Sequence, residues 1–183
     1  MRRTLDALYQ VGGCLAAFFI SAIAVIVLLQ VGANLIDAIA SAVTGEAIGL
    51  VIPSYADFAG FFLASSSFLA LAYTLRFGGH IRVNLFIRRL NKKWRRWVEV
   101  WCVTVGVGIS GYFAWFALAL TLESIHFGDV SPGMIPVPLW IPQGVVTFGL
   151  LVLAIAFGDE LVSALKGRQP SYRSGVKSEE TEL

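Results

Sequence analysis

Residues 8–29 read LYQVGGCLAAFFISAIAVIVLL, an apolar run that only Gln10 and Ser21 interrupt. A helix rises about 1.5 Å per residue, so about 20 apolar residues cross the hydrocarbon core of a bilayer. The run is longer than the roughly 7–15 apolar residues of a signal peptide. It also lacks the alternating pattern of a membrane barrel strand. We therefore predict a first membrane-spanning helix that is not cleaved.

Three further apolar runs have the length of a span, at about residues 58–75, 98–122 and 139–157. The composition agrees, because only 14% of the 183 residues are charged, against about 25% in soluble domains. We predict an all-α integral membrane protein with four transmembrane helices. Residues 1–160 form its membrane domain, and residues 161–183 form a polar cytoplasmic tail.

The positive charges are confined to three segments. Two of the 14 lysines and arginines lie before the first span, eight lie between the second and third, and four follow the last. Residues 31–57 and 123–139 carry no cation. Because lysine and arginine are retained on the cytoplasmic side, we predict that both termini and the middle connection are cytoplasmic.

Two connections have helical patterns of their own. Residues 82–97 are basic, with apolar side chains three or four positions apart, at Val83, Phe86, Leu90, Trp94 and Trp97. This predicts a basic amphipathic interfacial helix between the second and third spans, in contact with membrane lipids. A helical extension of the third span is the alternative. On the other side, residues 33–42 are expected to form an interfacial turn or helix.

The polar residues do not point to catalysis. His80 and His126 fall at opposite membrane faces, which excludes a haem held by two histidines of one chain. The sequence has no nucleotide-binding loop or metal-binding cluster. Its cations flank spans, which argues against nucleic-acid binding. Asp57 and Glu99 lie near span ends, whereas transport paths place ionisable groups near the midplane. We expect no enzyme, no cofactor and no catalytic, substrate-binding or metal-binding residue.

Small and hydroxyl-bearing residues leave two alternatives open. Small side chains recur every four positions at Gly13/Ala17/Ser21, Gly60/Ala64 and Gly106/Ser110/Ala114. Such stripes serve packing within the chain and packing against a partner equally well. The run Ser65–Ser66–Ser67 can bond across a helix interface or to its own backbone one turn earlier.

The segment 76–85 reads RFGGHIRVNL and follows the second span directly. Gly78 and Gly79 allow a left-handed helix cap and a sharp change of direction. Arg76 can bond the last carbonyls of the helix and suits its negative end. His80 and Arg82 then lie at headgroup level, where they can bind phosphate, free carbonyls or a carboxylate. A simple helix stop with a membrane anchor explains most of these features.

This pattern resembles the small permease subunit of tripartite ATP-independent periplasmic (TRAP) transporters, the DctQ-like family. The family motif approximates Trp-x-x-Glu at the start of the second span and RxGGHIRVDL at its end. Matching residues are Arg76, Gly78, Gly79, His80, Ile81, Arg82, Val83 and Leu85, and Asp57 stands at the acidic position. Asn84 departs from the motif, the tryptophan is absent, and the outer segment 31–54 is unusually long.

The resemblance implies a scaffold subunit of the bacterial inner membrane. Its partners would be a large DctM-like permease subunit driven by a sodium gradient and a DctP-like periplasmic solute-binding protein that delivers an organic acid. Asp57, Arg76, Gly78, Gly79, His80 and Arg82 would be motif or interface residues. A membrane anchor subunit of a respiratory complex and a self-contained small transporter or channel are the alternatives.

Overall fold

The computed structural model describes residues 2–76 and 92–166, which form four helices and their connections. The helices are α1 (Arg2–Thr44), α2 (Tyr55–Arg76), α3 (Lys92–Phe127) and α4 (Trp140–Leu165). Each is long and apolar enough to cross a membrane. Within the described ranges there is no strand beyond an isolated bridge between Val130 and Pro138. The predicted all-α protein with four transmembrane helices is confirmed.

The helices form an open row in the order α1–α2–α4–α3. α1 packs along α2, α2 along α4 and α4 along α3, whereas α1 and α4 meet at only a few residues. α2 and α4 therefore form the centre, and α1 and α3 form the two edges. Even in α4, only 39% of its most apolar 18-residue stretch is buried, and in α1 only 11%. Large apolar faces are left for lipid or another protein to cover.

Glycines allow the helices of the row to approach closely. A Cβ atom on Gly149 of α4 would stand 2.8 Å from the backbone carbonyl oxygen of Phe68 in α2. Gly106 of α3 lies against the ring of Phe157 in α4, and Gly13 of α1 lies against the ring of Tyr73. Gly106 and Gly13 thus serve packing within the chain, whereas Gly60 faces open space.

In the described part of the chain, α1, α2 and α4 meet near one end of their axes, where α1 begins and where α2 and α4 end. The buried core lies there and consists of Tyr9, Ala72, Leu75, Val152, Leu153 and Ala156. Between membrane helices, such packing stabilises through dispersion contacts, because lipid already provides apolar surroundings. This cluster therefore joins α1, α2 and α4 at one end of the helices.

α1 is longer than the predicted span 8–29, and the separate interfacial element expected at residues 33–42 is wrong. The helix continues unbroken to Thr44. Residues 31–44 contain no proline and four alanines, so nothing in this segment stops a helix. It ends at Gly45, whose φ of 80° and N–H bond to the Ser41 carbonyl (3.0 Å) form a left-handed cap.

Two other boundaries differ from the predicted ones. Residues 161–165, expected in the tail, continue α4, because Glu160, Ser163 and Ala164 still face the protein interior. Residues 92–97 belong to α3, so this part of the basic segment follows the alternative of a helical extension. The remainder of the predicted interfacial helix and residues 167–183 of the predicted tail lie outside the described residues.

Candidate functional site: the two ends of the second helix

An ion pair joins the end of α2 to the beginning of α1. Nε of Arg76 donates a hydrogen bond to Oδ1 of Asp6 (2.9 Å), and a terminal guanidinium nitrogen lies 2.8 Å from the same oxygen. The Arg76 side chain is 16% exposed and that of Asp6 is 40% exposed. Two donors directed at one carboxylate fix the relative position of the helices better than a single contact does.

Further polar groups surround this ion pair. Tyr9 lies one turn after Asp6 and is 1% exposed, and its hydroxyl makes no hydrogen bond within the described part of the chain. Asp159 and Glu160 at the end of α4 act electrostatically on that hydroxyl, as do Asp6 and Arg76. Glu160 is 6% exposed. We call these five residues the Arg76 cluster.

The Arg76 cluster contains more acid than base. Asp6, Asp159 and Glu160 supply three carboxylates, and Arg76 supplies the cation. Buried carboxylates require compensating charge or hydrogen bonds. Among the described side chains, the cluster thus brings three carboxylates to the point where α2 ends and the Gly-Gly-His segment (residues 76–85) begins.

The predicted motif residues do not form one site. Arg76 and Asp57 lie at opposite ends of α2, which at about 1.5 Å per residue places them about 28 Å apart. Gly78, Gly79, His80 and Arg82 lie outside the described residues. Arg76 is thus the member of the Gly-Gly-His motif whose contacts the structure defines.

At its other end, α2 holds the connection between α3 and α4. The Asp57 carboxylate lies directly against Gly133 of that connection. The Ser54 hydroxyl accepts a hydrogen bond from the Ile135 N–H (3.0 Å). Any side chain at Gly133 would collide with the Asp57 carboxylate. We call Ser54, Asp57, Gly133 and Ile135 the Ser54 clamp.

The clamped connection, residues 128–139, has internal hydrogen bonds. The Ser131 N–H donates to the Val137 carbonyl (2.8 Å), and the Leu139 N–H donates to the Asp129 carbonyl (2.9 Å). The buried Ser131 hydroxyl also accepts a bond from the Val137 N–H (3.1 Å). The connection is therefore a defined surface element beside the start of α2.

The long segment between the first two apolar runs, residues 31–54, forms an arm on α1. Polar side chains of α1 recur on one face at Gln30, Asn34, Asp37, Ser41 and Thr44. The returning chain bonds to this face, since the Gly49 N–H donates to Asp37 (2.7 Å) and the Ile52 N–H to Gln30 (2.9 Å). The outward side chains are aliphatic and more than half exposed: Val31, Leu35, Ile36, Ile39 and Val43.

The serine run inside α2 bonds to its own helix. The hydroxyls of Ser65, Ser66 and Ser67 donate to carbonyls three or four residues earlier, at 2.7, 3.1 and 2.7 Å. By contrast, Thr121 and Thr147 share a hydrogen bond between α3 and α4 (2.9 Å). The alternative of an interhelical serine network is therefore not what the structure shows.

The sequence analysis missed Asp6, Tyr9, Asp159 and Glu160. Membrane orientation depends on lysine and arginine, so the acidic residues near the same ends received no weight. Two signals were present in the sequence. Asp6 lies between the basic residues Arg2 and Arg3 and the first apolar run, and Asp159–Glu160 follows the last apolar run. Acids beside cations at one membrane end are candidates for ion pairs between helices.

Comparison with known proteins gives one family match. The family model described as "Tripartite ATP-independent periplasmic transporters, DctQ component" matches residues 47–167, about two thirds of the chain. The match includes α2, the Gly-Gly-His segment, α3 and α4 but not α1. No curated protein and no solved structure matches the chain.

Proposed function

Because the chain belongs to the DctQ family of TRAP transporter components, we propose that it is the small permease subunit and acts as a scaffold. A large permease subunit moves the solute, driven by a sodium gradient. A periplasmic solute-binding protein delivers an organic acid to it. The chain lies in the bacterial inner membrane with both termini in the cytoplasm, and it catalyses no reaction itself.

The observation that carries this proposal is the open row of helices. Each edge helix packs mainly against one neighbour, so the row presents wide apolar faces within the membrane. The serine hydroxyls of α2 bond to their own backbone, so they are not arranged around a solute. A row of this kind suits a subunit that enlarges the immobile part of a transporter.

The two ends of α2 have separate roles in this proposal. The Arg76 end faces the cytoplasm, where Arg76, Gly78, Gly79, His80 and Arg82 order the exit of the helix. The ion pair of Arg76 with Asp6 supports this role, because it fixes the first residue of the motif against the beginning of α1. Asp57 and the Ser54 clamp face the periplasm and hold residues 128–139 towards the solute-binding protein.

Reconstitution tests the proposed function. The chain, a large permease subunit and a solute-binding protein from the same genome are placed in proteoliposomes, and uptake of organic acids is measured under a sodium gradient. We expect uptake only when all three proteins are present. Uptake by the chain alone, or equal uptake without it, would contradict the proposal.

The motif is tested in the same system. His80→Ala and Arg82→Ala are expected to reduce assembly with the large subunit or uptake, whereas Arg88→Ala changes a cation of the same segment outside the motif and serves as control. Normal assembly and full uptake by both motif variants would remove the motif from the proposal.

A further inference from the structure

α3 has two chemically different faces. The face that packs on α4 carries small and hydroxyl-bearing residues, among them the buried Ser110, Ala114 and Thr121. The opposite face carries aromatic residues, each more than half exposed: Trp94, Trp97, Trp101, Tyr112, Trp115 and Phe116. We call this set the aromatic stripe. Helical spacing places its members along one side of an edge helix, away from the row.

Two members of the stripe lie at an unusual depth. Tyr112 is about midway along the uncharged stretch 100–122 of α3, and Trp115 follows one turn later. Tyrosine and tryptophan favour the membrane interfaces, where their polar atoms reach water or headgroups. Neither side chain makes a hydrogen bond to any residue the structure describes, and their exposed fractions are 61% and 70%. Lipid hydrocarbon would leave both polar groups unsatisfied, which is costly.

The stripe is already organised as a contact surface. The rings of Tyr112 and Phe116 lie 4.6 Å apart between centroids, so their positions support each other. Six aromatic side chains that can each bury about 150–250 Å², exposed by about two thirds, supply about 800 Å², the share of one partner in a standard interface. Gly108, between Trp101 and Tyr112, faces open space and permits close approach of another helix.

A second copy of the chain does not suit this surface. An indole N–H is only a donor, and the backbone carbonyls beside it are used within the helix. Two stripes packed on each other by a twofold axis would offer only the two Tyr112 oxygens as acceptors, and these cannot accept from both indole N–H groups and from each other's hydroxyls at once. The fitting partner is a different membrane subunit that supplies hydrogen-bond acceptors at the midplane.

We infer that the large permease subunit packs against the aromatic stripe and supplies acceptors opposite Tyr112 and Trp115. This inference rests on the proposed function and identifies the edge of the row that makes the contact. The outward face of α1 differs, since Phe18 is its one ring that is more than half exposed among the described residues, and residues 20–54 contain no aromatic residue and no lysine or arginine. Interfaces between proteins are enriched in aromatic residues and arginine, so α1 is the edge left to lipid.

Photocrosslinking in the assembled complex tests the inference. p-Benzoylphenylalanine replaces Tyr112 in one variant and Phe18 of α1 in a matched control, because both rings are similarly exposed (61% and 64%) on opposite edges. Each variant is co-expressed with the large subunit, and complex formation is measured in the same sample. We expect a crosslink to the large subunit from position 112 and none from position 18.

Other crosslinking outcomes overturn the inference. A product of twice the mass of this chain would identify a second copy as the occupant. An intact complex without any protein crosslink from position 112 would assign the stripe to lipid, and the proposed function would stand. Failure of the unmodified chain to form any complex would instead overturn the proposed function and the inference together.

The hydrogen bonds are tested separately. Tyr112→Phe removes only the hydroxyl and is expected to weaken association with the large subunit roughly three- to twentyfold, the range for one hydrogen bond between membrane helices. Phe18→Leu is the control and should leave association unchanged. Unchanged association in both Tyr112→Phe and Trp115→Phe would contradict the assigned acceptors.

Discussion

The two edge helices of the row have the same place in the architecture but different outward surfaces. α1 packs mainly on α2 and, apart from the ring of Phe18, presents large side chains that are aliphatic and continue along the arm from Val31 to Val43. α3 packs mainly on α4 and presents the aromatic stripe, with the polar atoms of Tyr112 and Trp115 about midway along its uncharged stretch. Packing within the chain is therefore similar at both edges, and the outward chemistry distinguishes the edge suited to lipid from the edge suited to a protein.

The largest expected effect comes from the central seam, the close contact of α2 with α4 at Phe68 and Gly149, which holds both edges in one row. Gly149→Leu places a side chain against the Phe68 backbone, which cannot move aside as a flexible side chain can. We expect a loss of about 3 kcal/mol in the free energy of unfolding, measured by denaturant titration in detergent micelles. Gly158→Leu changes a glycine of the same helix that faces open space and should have little effect. Equal destabilisation by both would contradict the seam.

The next effect separates the two faces of α3. Gly106→Val collides with the Phe157 ring on the inner face, whereas Gly108→Val adds a side chain on the outer face, where there is open space. We expect Gly106→Val to lower stability by about 1–3 kcal/mol. Gly108→Val should leave the isolated chain stable and reduce co-purification of the large subunit. A Gly108→Val variant that is destabilised on its own but still co-purifies with the large subunit, beside a stable Gly106→Val variant, would show that the outer face is not the contact.

A smaller effect is expected where α1 is fastened to α2. Arg76→Gln leaves the Asp6 carboxylate without its cation, and we expect a loss of about 2 kcal/mol. Asp6→Asn should cost less, because Asp6 is 40% exposed and water screens it. The double variant should show a coupling of about 1 kcal/mol. Additive effects in this cycle would mean that the pair contributes nothing to holding the α1 edge.

The smallest effect is expected at the Ser54 clamp. Ser54→Ala removes the acceptor of the Ile135 N–H and should cost about 1 kcal/mol. Ser54 has a φ of 55°, a conformation that glycine adopts without strain. Ser54→Gly should therefore be less destabilising than Ser54→Ala. Proteolysis of residues 128–139 measures how firmly the connection is held, and faster cleavage of Ser54→Gly than of Ser54→Ala would contradict this order.

Much of the fold could be predicted because a bilayer restricts the possibilities. Four apolar runs had to be helices, since lipid cannot satisfy the backbone groups of any open structure. The order of the helices in the row could not be predicted, because it depends on close contacts such as that of Gly149 with Phe68. The full length of α1 was missed, because the polar residues within 30–44, such as Gln30, Asn34 and Asp37, interrupt the apolar pattern but not the helix.

The candidate site was only partly predictable. Arg76 and Asp57 stood out because they border a span, but their partners Asp6 and Gly133 are distant in sequence. No local pattern connects an acid near the N-terminus with a helix end 70 residues later. The aromatic stripe could have been found from helical spacing, but its meaning depended on knowing that its opposite face packs on α4.

The central claim, that one edge meets protein and the other lipid, is tested most directly by spin-label accessibility. Tyr112→Cys and Phe18→Cys, each with Cys14→Ser and Cys102→Ala, are labelled with a nitroxide and placed in bilayers. Collision with dissolved oxygen, which concentrates in hydrocarbon, is measured before and after addition of the unlabelled large subunit. We expect both labels to be accessible at first, and only the label at position 112 to become several-fold less accessible on assembly. Protection of position 18 with position 112 still open to oxygen would contradict the account.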